Sequence, residues 1–429
     1  VLKDKNSPQQ TLLKEYGNCV GVYQGKGTLT LTNGKKHNCY FEAGQLSNGQ
    51  VILLCDFLPP FPHSIQIVAE RFDGETSEGY QISTEKRINE FNYLPEIPVE
   101  CNSGFWSAFH LTEMSILMTN GRPERLHFGV TNLEFLGTER ISCSDNSYQH
   151  ILPLKLQDEK SLATISITPL NNYDRIIKRV KTLKLVDVTC NTIVDVPANG
   201  EIGKVTEMID NLCFILSVAR GTKIQWVYCD QYNGIGNLIS RIHSSRITKP
   251  YCPLKIIDPM ACGGEETKTF IEQTYKGYVG KGESYKLSKG TIDAYLDAKA
   301  EADYLQMRGV KFAVAMEILK TVFCKSINIK GGAFKSLIQN LCNSINLSVS
   351  KQEINLFVKC RNSLIHEGEF FCITAKPKQR KRFHALGTQT EEYLFLVNFL
   401  DRVFLKLLGY SGPYIDWRIP GNPIHRDQV

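Results

Sequence analysis

Cys360-Arg361-Asn362-Ser363-Leu364-Ile365-His366-Glu367-Gly368 lies near the C-terminal end of a long helical region. Apolar residues at Ile354, Phe357, Val358, Leu364 and Ile365 recur at helical spacing. At 100° per residue, Arg361 falls in the middle of that stripe. A guanidinium among apolar neighbours is costly unless it is paired, hydrogen-bonded or opens onto a cleft. Asn362 and His366 are an i, i+4 pair and share one edge of the stripe. Arg361 and His366 are about 140° apart on an ideal helix. Gly368 is a C-terminal stop, which places His366 in the last turn, where the chain can bend toward the arginine.

These groups suit RNA cleavage without a metal. An imidazole titrates near neutrality and can take a proton from a 2′-hydroxyl or give one to the leaving oxygen. A guanidinium holds phosphate oxygens with a planar fork and stays charged. Asparagine can orient the imidazole or donate to the phosphate. One copy supplies one histidine; two facing copies supply an acid and a base. Read without that chemistry, the same residues are a buried arginine satisfying a helix terminus and an exposed histidine.

Arg361-Asn362-x-x-x-His366 resembles the R-N-x-x-x-H form of the motif of HEPN ribonucleases. The resemblance implies a helical-bundle domain that dimerises around a shared, metal-independent RNA-cleaving site. It assigns catalysis to Arg361, Asn362 and His366, and it calls for no metal and no cofactor. Two other Arg/His pairs fit the spacing. Arg122/His127 lies in a turn-rich β region after Asn120-Gly121, and Arg418/His425 spans Pro420 and Pro423 and cannot be helical. HEPN toxins silenced through a modified tyrosine carry it just after the histidine; here Glu367-Gly368 follow, which puts that control in doubt.

A chain of 429 residues is long enough for two or three domains. Its 42% apolar and 22% charged content is that of a globular protein, and a net charge of +6 permits a polyanionic partner without requiring one. Fourteen cysteines show no C-x-x-C pair and no zinc spacing; His37 and Cys39 read as a half-buried strand pair. Reduced thiols point to a cytoplasmic chain. Val1-Leu2-Lys3-Asp4-Lys5 is polar, with no initiator Met, so a few residues are expected to be missing. No signal peptide and no bilayer-spanning run is evident.

The expected fold is α+β, an N-terminal antiparallel β-rich sandwich or barrel-like domain followed by a HEPN-like helical bundle. Residues 1–199 read as the β domain. Runs at 16–23, 27–32, 37–43, 50–57, 65–72, 105–118, 125–135, 162–169, 178–188 and 192–196 predict strands, with hairpin turns at Asn33-Gly34 and Asn48-Gly49. Gly25-Lys26-Gly27 reads as a turn or bulge between strands, not a phosphate loop. Residues 200–286 read as a connecting region: a helix over 201–219, a strand over 223–230, then irregular, turn-rich chain in which Glu265-Glu266 is a solvated pair. Residues 287–412 read as the bundle, and 413–429 as a tail.

The bundle is predicted from helices over 291–299, 301–325 and 333–345, a motif helix opened by Ser350 and Glu353 in a capping-box arrangement, and a helix over 391–408. That last helix is apolar almost all round, which predicts burial on several sides and part of a dimer interface. Between it and the motif, Lys376, Lys378, Arg380, Lys381 and Arg382 form a cationic run, readable as a solvated surface or as an RNA-phosphate clamp. With the early Gly-rich hairpins and the motif, His127-Phe128-Gly129-Val130-Thr131-Asn132-Leu133-Glu134-Phe135 is similar to the N-terminal region of ApeA-type anti-phage HEPN proteins.

That similarity implies an abortive-infection endoribonuclease held in check by its β region. The implied partners are RNA, with tRNA as one candidate, a second copy through the bundle, and a phage-derived trigger; no membrane is involved. The alternative from another class is a non-catalytic dimerisation bundle whose β domain binds a protein or glycan.

Overall fold

The computed structural model describes residues 12–57, 68–84, 88–90, 106–142, 148–157, 162–197, 200–246, 248–280, 289–300, 303–326, 328, 331–378, 387–419 and 424–425. In chain order the strands are β1 (Cys19–Leu31), β2 (Lys36–Leu46), β3 (Val51–Phe57), β4 (Val68–Thr76), β5 (Gln81–Thr84), β6 (Ile88–Glu90), β7 (Trp106–Leu111), β8 (Glu113–Leu117), β9 (Arg125–Thr131), β10 (Glu139–Ser142), β11 (Tyr148–Gln157) and β12 (Leu162–Pro169). Helix α1 (Tyr173–Leu183), strand β13 (Val188–Asp195), helix α2 (Ile202–Arg220) and the hairpin β14 (Trp226–Tyr232) and β15 (Leu238–Ser244) follow. The rest is helical: α3 (Pro259–Cys262), α4 (Gly264–Val279), α5 (Lys289–Lys299), α6 (Leu305–Ser326), α7 (Phe334–Ser344), α8 (Lys351–Glu367), α9 (Phe371–Thr374) and α10 (Gln389–Leu407). A two-residue ladder, β16 (Tyr414–Ile415) with β17 (Ile424–His425), closes the chain. An N-terminal antiparallel sheet followed by helices is an α+β arrangement.

The chain forms two compact units. The first comprises Val1–Thr131, Val186–Val205 and Gln225–Thr248; the second comprises Asn132–Leu185, Thr206–Ile224 and Lys249–Val429.

In the first unit β1 pairs with β2 on one side and with β4 on the other. The path β1, β2, β3, β7, β6, β4 and back to β1 is therefore a closed antiparallel ring. Period-two alternation sends Val51, Leu53, Cys55 and Phe57 of β3 into one apolar cluster with Phe41, Phe72 and Phe109. The opposite face of the same strand sends Ile52 and Leu54 against Leu13. Gly25-Lys26-Gly27 lies inside β1, not at a turn between strands. A Cβ on Gly25 would stand 2.0 Å from the carbonyl oxygen of Glu75, so glycine is what lets β4 cross there.

His243, on β15 in the same unit, is fully buried. Its Nδ1 donates to Gln45 Oε1 at 2.8 Å, and its Nε2 accepts from the Tyr23 hydroxyl at 3.3 Å. Gln45 Nε2 in turn donates to the carbonyls of Val227 at 2.7 Å and Ser244 at 3.0 Å. Burial, then the nearby Arg241 guanidinium, pushes the imidazole down to about 3, so it stays neutral.

In the second unit the run 178–188, expected as a strand, belongs to helix α1 as far as Leu183, and strand begins only at Val188. Ile176, Ile177, Val180 and Leu183 follow a helical period between outward cations, and that pattern outweighs their β-branching; Ile177 and Val180 are buried. The stretch read as irregular contains β15 and α4. Glu265 and Glu266 are exposed in the first turn of α4, where carboxylates complement the helix dipole.

The C-terminal helices pack around α6, which touches α5, α7, α8 and α10. Phe357 and Phe399 stack at 4.4 Å between α8 and α10. The apolar surface of α10 is buried inside this one chain, so it does not offer the dimer face its composition predicts. Exposed apolar side chains in this region lie at Met307 and Val314 on α6, Ile365 on α8 and Ile373 on α9. Lys299, Tyr295 and Asp401 form a fully buried network: Lys299 Nζ reaches Asp401 at 2.7 Å, and the Tyr295 hydroxyl donates to the same carboxylate. Among the described residues no helix is long and apolar enough to cross a membrane.

Candidate functional site

Helix α8 begins where Ser350 Oγ accepts from Glu353 N at 3.0 Å. Only half of a capping box forms, because the Glu353 carboxylate turns to Arg402 at 2.6 Å. The helix buries Ile354, Leu356, Phe357, Cys360, Ser363 and Leu364. Its core face is therefore centred on Phe357, Cys360 and Leu364. Arg361 lies at the border of that face, with its side chain 17% exposed, and Ile365 is exposed. Gly368 ends the helix in the left-handed region at φ 71.

Three helices meet at Arg361. Its Nη2 pairs with Glu317 Oε1 of α6, and its Nη1 donates to Asn362 Oδ1 at 2.9 Å. Its guanidinium carbon stands 4.9 Å from the Phe334 ring centre at the start of α7. Lys320 Nζ contacts Glu317 Oε2 at 2.8 Å and lies 5.4 Å from the same ring. Two cations thus share one carboxylate, and the corner keeps a surplus positive charge. Arg361 Nε is buried without a hydrogen-bond partner.

His366 is exposed in the last turn, on the face of Asn362 four residues earlier, and makes no hydrogen bond to a described residue. The structure brings Arg361 and Asn362 into contact but does not bring His366 to Arg361. Helical geometry continues through Glu367, so the expected bend is absent and about 140° still separates the two side chains. Asn362, touching the guanidinium and sharing the histidine's face, is the link between them.

Lys376 and Lys378 are exposed, just beyond α9. Arg380, Lys381 and Arg382 lie outside the described residues. The other Arg/His pairs have different surroundings. Arg122 donates to the carbonyl of Pro197 at 3.4 Å while His127 packs against Tyr232 at 4.5 Å; Arg418 is paired with Asp416 at 2.6 Å. Sequence reasoning did not find Glu317, Lys320 or Phe334. The Glu317/Lys320 i, i+3 pair was visible, but which helix faces Arg361 is a tertiary fact. Among the described residues no group of three or more His, Cys, Asp or Glu is placed to hold a metal ion.

No protein-family model, no curated protein and no solved structure matches this chain.

Proposed function

We propose that the protein is a metal-independent endoribonuclease of the HEPN type, with the C-terminal helices as its HEPN bundle and Arg361, Asn362 and His366 as its catalytic set. The observation that carries this reading is the exposed imidazole of His366, with no hydrogen bond to a described residue, on the same helix face as Asn362, whose amide contacts a guanidinium in a corner of surplus positive charge. In the reaction the ribose 2′-oxygen attacks phosphorus and its proton passes to an imidazole. The P–O5′ bond breaks, and the 5′-oxygen takes a proton from the imidazole of a second copy. Arg361 holds the phosphate oxygens as charge builds on them. In this reading the exposed Lys376 and Lys378 bind RNA phosphates, as the cationic run Arg380, Lys381 and Arg382, outside the described residues, is expected to do. The remaining chain would regulate the nuclease as an anti-phage, abortive-infection effector in the cytoplasm, released by a phage-derived trigger, with tRNA among its candidate substrates.

A second reading has its own support. The Arg361–Glu317 pair, stacked on Phe334, is a complete structural role for the arginine. In that reading the bundle only dimerises and the β region binds a protein or glycan. Expression of the full chain in cells, with RNA recovered from them, separates the two. The nuclease produces RNA ends carrying 2′,3′-cyclic phosphate, continues to cut in EDTA after purification, and loses both properties in His366→Ala. An identical RNA profile for wild type and His366→Ala would favour the binding module.

A further inference from the structure

The second unit contains a cavity of about 940 Å³, lined by no residue of α8. That volume is the size of a small-molecule site. Glu134 and Lys181, which line the cavity, belong to a charge cluster that continues behind it through Arg220, Lys255 and Asp258. Glu134, 5% exposed, accepts from Lys181, from Arg220 Nη2 at 2.8 Å and from Lys255 Nζ at 2.8 Å. Lys255 also reaches Asp258 at 3.0 Å, so three cations meet two carboxylates. Arg220 is 3% exposed, and its Nε and Nη1 have no hydrogen-bond partner among the described residues. Buried donors left unpaired are costly, so the region behind Glu134 favours additional negative charge.

The walls divide into two kinds. Lys178 and Lys181 stand one helical turn apart on α1 and border the cavity, with the Asp174 carboxylate one turn before them; Lys181 is paired with Glu134, while Lys178 is exposed and makes no ion pair with a described residue. Opposite in chemistry are Phe135, Leu136, Ile177 and Met260, with Tyr148 presenting a ring that is 66% exposed. The Arg140 guanidinium stands 5.8 Å from the centre of that ring.

We infer that this cavity binds a nucleoside phosphate, its base on Tyr148 and the apolar wall and its phosphate on Lys178 and Lys181. An inorganic anion would leave the apolar wall wet. An uncharged aromatic would leave the exposed Lys178 ammonium without a partner. Only a molecule with both halves uses both walls. The inference stands apart from the nuclease reading, because binding is measured without any RNA cleavage.

The test is calorimetric titration and thermal melting of the full chain with AMP, GMP, CMP and UMP, against adenosine alone and inorganic phosphate alone. At least one nucleotide is expected to bind and raise the melting temperature, about tenfold or more tighter than either half alone. Its affinity falls as salt rises. Lys178→Glu and Tyr148→Ala each weaken it about tenfold, while the ligand-free melting temperature stays at the wild-type value, because both side chains are exposed. The inference is overturned if no nucleotide binds, if phosphate or adenosine alone binds as tightly, or if both variants bind like wild type.

Discussion

The guanidinium of Arg361 sits between the Glu317 carboxylate and the Phe334 ring, so its replacement has two separable effects. Arg361→Lys can keep a cation beside Glu317 while losing the planar fork, and under the proposed nuclease reading it is expected to lower RNA cleavage about a hundredfold with little change in melting temperature. Glu317→Gln loosens the arginine without removing it. A double-mutant cycle on melting, pairing Arg361→Ala with Glu317→Ala, is expected to return a coupling of about 1 kcal/mol. Additive effects in that cycle would place the arginine's role outside its ion pair. Glu134 carries a different expectation. Burial alone would raise its pKa, but Arg220, Lys181 and Lys255 outweigh burial and hold it down at about 2. A carboxylate depressed in the folded state contributes stability above its unfolded value, and that contribution disappears as pH falls toward 2. Up to about 3 kcal/mol is at stake between pH 4.5 and 2, and Glu134→Gln should flatten that part of the stability curve.

Helix α10 shows what caps and patterns determine locally. Thr388 accepts from Glu391 N, and Glu391 reaches back to the Thr388 amide at 2.8 Å, a reciprocal capping box. Thr388→Ala is expected to cost about 1 kcal/mol, read as a lower denaturation midpoint at unchanged slope. The strands β2 and β3, the turns at Gly34 and Gly49 and the helices α5 to α8 and α10 were legible in the sequence, because alternation, turn residues and caps are written in neighbouring residues. What was not legible depended on distant partners. Gly25 and Gly27 resemble a turn until β4 is known to cross β1. The β10 strand has every residue exposed and so has no apolar alternation to detect. Arg361, Asn362 and His366 could be picked out, but the carboxylate that holds the arginine, and the straight run of α8 past the histidine, could not.

At the level of the whole molecule the two units carry acid sensitivity at different pH. His243, in the first, is neutral when folded, with its pKa lowered from 6.5 to about 3. The unfolded chain takes up its proton first as pH falls, so stability is lost progressively from about 6.5 down to 3, by up to about 5 kcal/mol. Glu134, in the second unit, costs nothing until lower pH. Between pH 7 and pH 5 hydrogen exchange is therefore expected to show protection falling more in the first unit than in the second, and His243→Gln to reduce that difference. An equal loss of protection in both units over that range would contradict it. The interleaving of the units has a consequence for the chain as it is made. Strand β9 ends at Thr131 and its ladder partner β13 begins at Val188, so a nascent polypeptide emerging from the ribosome must hold the first unit unfinished while the intervening segment and more appear. For the same reason a protease that nicks the backbone within residues 132–185 should leave the two halves bound to each other, separable in denaturant but co-eluting without it.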